Sequence, residues 1–129
     1  MPNLISHEAI TELLSFEGQP CLSIYQPTPW QASESWQNSI RFCQLVRRLA
    51  SSLQRHAAAD ARRLLEPFEA LGQNADFWSQ TQDGLAVMGG EGLFRVFRLQ
   101  RPVPELAMVE NSFQSAIFLN RWTKTESMV

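Results

Sequence analysis

The 129-residue chain predicts an α+β fold: a two-layer sandwich in which a mainly antiparallel sheet carries helices on one face. Three observations lead there. One short β-type run stands near the N-terminus, two amphipathic helical stretches follow it, and three further β-type runs come after them, so most strands are not separated by crossover helices. Four clustered residues, Gly89-Gly90-Glu91-Gly92, join two of those runs and read as a hairpin turn requiring positive φ. The length matches one domain, and a composition of 44% hydrophobic and 19% charged residues can supply a core without disulfides or metal.

In chain order, Ser6 to Phe16 carries Ile10, Leu13 and Leu14 at helical spacing, with Ser6 placed as N-cap and Gly18 and Pro20 as the stop. Cys21 to Tyr25 reads as a strand closed by Pro27 and Pro29. The loop from Pro27 to Ser35 exposes Trp30. A long helix is predicted from Ser35 to about Ala57, with Phe42, Leu45, Val46, Leu49 and Leu53 on its buried side. Trp36, Ile40, Cys43 and Ala50 are expected to widen that side. A further helix from about Ala58 to Leu71 ends at Gly72, with Leu64, Leu65 and Phe68 in the core and Pro67 expected to kink or shorten it. Asp83–Met88, Leu93–Leu99 and Leu106–Glu110 are the remaining strands, and the tail from Gln114 has no clear period. Residues 1–113 therefore form the expected domain, and 114–129 a divergent tail.

Composition narrows the functional classes. No apolar run approaches the roughly 20 residues needed to cross a bilayer, and the N-terminus lacks the basic start and apolar run of a signal peptide, so the expectation is a cytoplasmic protein without a membrane partner. Two cysteines, Cys21 and Cys43, are too few for a disulfide framework and are expected to be buried reduced thiols. His7 and His56 stand in no motif with a nucleophile, no Cys, His or carboxylate cluster has metal-ligand spacing, and no glycine-rich loop leads from a strand into a helix. The expectation is a non-enzymatic protein without cofactor or metal. Asp76, Asp83 and Glu105 each border Gly, Pro or a strand end and are read as turn and cap residues.

Charge is unevenly placed. Residues 41–63 contain six arginines against Asp60, a net of +5 inside a chain whose total is −2. Arg41, Arg48 and Arg55 are seven apart and line one side of the long helix, rising about 10 Å per interval. Arg47, Arg62 and Arg63 add to that field. Such a ladder can follow an RNA phosphate backbone, and Trp30 can stack on an unpaired base. The bland alternative is a solvated helix face, with Trp30 packed over a helix end.

Several segments also carry a resemblance to a known family. Cys21-Leu22-Ser23-Ile24-Tyr25-Gln26-Pro27-Thr28 is similar to a strand of the type Val-Ser-Ile-Tyr-Leu-Pro-Thr. Asp76-Phe77-Trp78 followed by Asp83-Gly84-Leu85-Ala86 resembles a Phe-Trp … Asp-Gly-Leu-Ala segment, and Leu93–Leu99 with Val103-Pro104-Glu105 resembles the strand and connection that come next. Together, over residues 4–113, they resemble the N-terminal domain of the bacterial family related to archaeo-eukaryotic peptide-chain release factors. That family places a variable N-terminal domain before an RNase H-like domain and a domain similar to a ribosomal kink-turn binder. After Phe113 the chain departs from it: Gln114-Ser115-Ala116-Ile117-Phe118 stands where a His-Leu-Lys-Pro-Leu type junction is the family pattern. Gly89-Gly90-Glu91 is not the Gly-Gly-Gln of release factors, because the third residue is Glu and that motif belongs to the central domain. The resemblance implies a translation-related module whose partner is the ribosome or a structured RNA. The alternative from a different class is a protein-interaction or dimerisation domain with no RNA role. A homodimer is expected, since the apolar tail cluster Ala116–Leu119 with Trp122, and an open sheet edge, both favour association.

Overall fold

Strand β1 (Cys21–Pro27) is the spine of the domain. In a computed structural model it lies inside a four-stranded antiparallel sheet of order β3-β2-β1-β4. The structure describes residues 7–17, 20–28, 35–55, 61–79, 83–100, 103–111 and 113. The other strands are β2 (Gly84–Gly90), β3 (Leu93–Leu99) and β4 (Leu106–Glu110); the helices are α1 (His7–Ser15), α2 (Ser35–Arg55), α3 (Ala61–Gly72) and the single turn α4 (Ala75–Trp78). The α+β architecture expected from the order of elements is therefore present. β1 is paired on both sides, to β2 and to β4, and residues 21–26 are all buried. That explains a run in which both alternating sets are largely apolar.

Strand alternation sends two sets of side chains to opposite faces. Leu22 and Ile24 of β1, with Leu85 and Val87 of β2, meet Phe42, Leu45, Leu49, Leu53, Leu64, Leu65 and Phe68 from α2 and α3. Cys21 and Tyr25, with Ala86, Met88, Leu93 and Leu99, meet Ile10 and Leu13 of α1 together with Val103 and Phe113. The two long helices thus share one face as expected, and α1 covers part of the other.

Local details differ from the sequence reading in instructive ways. α3 runs through Pro67 to Gly72 without being shortened, its missing N–H lying on a helix held by Leu64, Leu65 and Phe68 in the core. Ile40 is 48% exposed and Leu14 is also exposed, because each sits just outside the arc its helix buries. Cys43 is half-buried, on the flank of α2 toward α3 rather than in the core. α4 escaped the sequence reading. Its Asn74 cap accepts from the Phe77 N–H at 3.1 Å, which buries Phe77 and Trp78, and the Trp78 indole donates to the Leu71 carbonyl at 2.9 Å.

The glycine cluster also divides. Gly92, with φ of 76°, makes the turn between Gly90 and Leu93. Gly89 and Gly90 instead belong to β2, where aromatic rings lie against the backbone. A Cβ on Gly89 would stand 2.4 Å from Phe68 Cε1, and one on Gly90 2.7 Å from Phe16 Cε2. Close packing, not turn geometry, requires those two glycines.

Candidate nucleic-acid interface

The arginines of the central segment occupy three separate environments. α2 buries Phe42, Leu45, Val46, Leu49 and Leu53, and the 100° step between residues places Arg41 and Arg48 together on one flank. α2 packs against β4, and the residue just before that strand is Glu105. Its carboxylate receives both side chains: Arg41 Nε lies 3.7 Å from Oε1 and Arg48 Nη2 3.8 Å from Oε2. The arginine side chains are 42% and 64% exposed. Pairs this open contribute about 0–1 kcal/mol to stability, so their main effect is to hold two guanidinium groups over the α2–β4 seam. Glu105 is thus an ion-pair residue and not the turn residue expected from its place beside Pro104. Nothing in the sequence joins it to Arg41, since the contact exists only once β4 is laid beside β1.

Arg47 takes the other flank. With Cys43, Val46, Glu69 and Gln73 it lines an open groove of about 280 Å³ between α2 and α3. Arg62 is exposed in the first turn of α3. Beside it, Arg63 Nη1 donates to Glu91 Oε2 at 3.3 Å, linking the helix to the β2–β3 turn. Arg55 is the last residue of α2, seven positions after Arg48, and its side chain lies outside what the structure describes. Trp30, His56 and the tail 114–129, with its expected apolar cluster, also lie outside the described residues. The fold therefore joins Arg41 with Arg48, and separates both from Arg47 and from Arg62 and Arg63.

Two further arginines serve the architecture. Arg95 Nε and Nη2 donate to the two carboxylate oxygens of Glu12 at 2.9 and 2.6 Å, tying β3 to α1. The Arg98 guanidinium lies 4.6 Å from the centre of the Phe77 ring, a cation–π contact at the sheet edge.

Among the described residues no group of three or more His, Cys, Asp and Glu is placed to hold a metal ion. The Cys21 thiol is buried, and desolvation, with the nearby Glu110 carboxylate adding to it, pushes its pKa up from 9.0 to about 11. It is a protonated core thiol at neutral pH and a poor nucleophile. Asp76 stands in the first turn of α4, whose cap is Asn74, and the Asp83 carbonyl accepts from Thr28 N–H at 3.0 Å where β2 begins. No helix among the described residues is long and apolar enough to cross a membrane. No family model matches the chain, and no curated protein matches it.

Proposed function

We propose that this chain is a non-catalytic, cytoplasmic module of the translation apparatus that contacts the ribosome or a structured RNA through α2. The observation that carries the reading is the composition of that helix as it sits in the fold. Its 21 residues include Arg41, Arg47, Arg48 and Arg55 and no carboxylate. Arg41 and Arg48 stand at the seam with β4, and Glu105 holds both guanidinium groups there. Both arginine side chains stay open to solvent, with donors left over for phosphate oxygens. The resemblance over residues 4–113 to the release-factor-related family supplies the link to translation.

The test is binding of a labelled, structured RNA hairpin, followed by fluorescence anisotropy across a salt series. Three phosphate contacts predict a log–log salt slope of about −2 to −3. Replacing Arg41, Arg48 and Arg55 together by Glu removes binding while far-UV circular dichroism stays that of the parent chain. Binding that survives the triple replacement, or no binding even at low salt, overturns the reading. The protein-interaction alternative is favoured by one observation: Ile40 stands exposed on α2 one residue before Arg41, an apolar side chain that suits a protein surface better than a phosphate backbone.

A further inference from the structure

The two edges of the sheet are unlike. β3 is guarded along its length: Arg95 on one face is bound to Glu12, and Arg98 on the other lies over Phe77. Charged side chains on an edge strand oppose pairing with another chain. β4 has no such guard. Its first four residues, Leu106-Ala107-Met108-Val109, are all apolar, and its only charge is the terminal Glu110. β1 occupies one side of β4, and no strand occupies the other among the described residues. Leu106 is 42% exposed, and the four residues after it are only half-buried. An apolar edge strand is a template for a further strand.

We infer that the free edge of β4 joins two copies of this chain, antiparallel about a twofold axis at Ala107, to make one continuous eight-stranded sheet. The choice of a second copy, and of this register, follows from the strand's own pattern. Twofold antiparallel pairing puts one residue opposite itself and opposes its neighbours symmetrically, so few registers exist. Centred on Leu106, the ladder sets Met108 against Pro104, which has no N–H to donate. Centred on Met108, it sets Leu106 against the Glu110 carboxylate twice. Centred on Ala107, it sets Leu106 against Met108 twice on the α1 side of the sheet, and the smallest side chain of β4 lies on the axis. The exposed leucine then gains an apolar cross-strand partner, and β4 is the one edge whose sequence complements itself. Glu105 falls opposite Val109, on the side that carries α2, so the two Arg41–Glu105–Arg48 groups flank the axis. A ladder of five residues is a short interface, and the dimer dissociates on the order of micromolar concentration.

Light scattering coupled to size exclusion, on the full chain at about 100 µM, reads the mass directly. The parent chain is expected to elute with a dimer mass, and Leu106→Lys with a monomer mass. Each chain contributes one Leu106–Met108 pair, so the loss counts twice and the dissociation constant rises on the order of a hundredfold. Leu106 is exposed in the single chain, so far-UV circular dichroism of the variant should match the parent. A second arm holds if the variant fails to fold. Ala107→Cys in a Cys43→Ser background places two thiols across the axis, within the about 4.4–6.8 Å Cα separation that a disulfide spans. Oxidised glutathione should cross-link it, while Val109→Cys in the same background should not cross-link. A monomeric parent chain, a dimer unchanged by Leu106→Lys, or cross-linking equal at positions 107 and 109 overturns the assignment.

Discussion

Replacing Gly89 by Ala tests the claim that close packing, not turn geometry, keeps this position a glycine. The added Cβ would lie 2.4 Å from Phe68 Cε1 and 2.8 Å from Cζ, so about 1 Å must open before the contact is tolerable. Phe68 has no room to retreat. It is fully buried, its ring meets Phe94 edge-on at 5.1 Å, and it belongs to the cluster that joins α3 to the sheet. Overpacking of this kind costs about 1–3 kcal/mol. The smaller backbone entropy of alanine in the unfolded chain returns about 0.4–1 kcal/mol. The expected net loss is about 1–2 kcal/mol, which lowers the melting temperature by roughly 4–8 °C in a domain of this size. Urea unfolding followed by tryptophan fluorescence measures it. Phe68→Leu isolates the cause: it destabilises the parent chain, yet adds less than its own cost when combined with Gly89→Ala, because the smaller side chain makes room for the methyl group. A Gly89→Ala chain as stable as the parent, or strict additivity with Phe68→Leu, refutes the packing argument.

Other expectations rest on single contacts. Gly92→Ala meets nothing within 4 Å but must hold φ near 76°, so it costs about 1–2 kcal/mol that no change at Phe68 relieves. Glu105→Gln frees both guanidinium groups it holds, and RNA binding in the anisotropy assay should tighten by about threefold to tenfold, with a steeper salt slope; unchanged or weaker binding separates these arginines from the phosphate contacts. Iodoacetamide at about pH 8 should label Cys43 and leave Cys21 unmodified until the chain unfolds. The Cys21 pKa is raised from 9.0 to about 11 on folding, so its contribution to stability is complete below pH 9.0 and is lost as pH climbs toward about 11. A denaturation midpoint that holds level across that alkaline range in the parent but falls in Cys21→Ala contradicts this sign.

Legibility in the sequence follows the range of the interaction that fixes each feature. The buried arc of α2 was readable because Phe42, Leu45, Val46, Leu49 and Leu53 repeat at the helical period, and all five are buried. β3 and β4 begin and end where the apolar runs do, and α3 ends at Gly72. α4 was not readable, since a single turn has no period; only Asn74 three residues before Phe77 marks it. Ile40 failed for the same reason in reverse. Its apolar character invited it into the buried face, but it stands 48% exposed, just outside that arc. The roles of Gly89 and Gly90 depend on rings 21 and 74 residues distant in the chain, at Phe68 and Phe16, so the turn reading was the only local one on offer.

The arginines show how much chemistry tertiary placement adds to one residue type. By spacing alone, Arg41 and Arg48 line one side of the helix, and Arg47 adds to the same positive field. The fold instead turns Arg47 toward the groove with Glu69 and sends Arg41 and Arg48 to Glu105 on the opposite flank. Those two flanks differ in what they can bind. The groove mixes one arginine with a carboxylate, an amide and apolar side chains, a surface whose attraction for phosphate is largely cancelled at short range. At the seam, two guanidinium groups share one carboxylate, which leaves an excess positive charge and donors still open to solvent. Among the described residues of α2, a phosphate therefore meets the more favourable field on the β4 side. That is also the side on which the unguarded sheet edge lies, so pairing of two β4 strands would bring two such fields together across one axis. RNA affinity and dimer formation are then linked: Leu106→Lys should weaken RNA binding more than an added positive charge on a monomer would strengthen it.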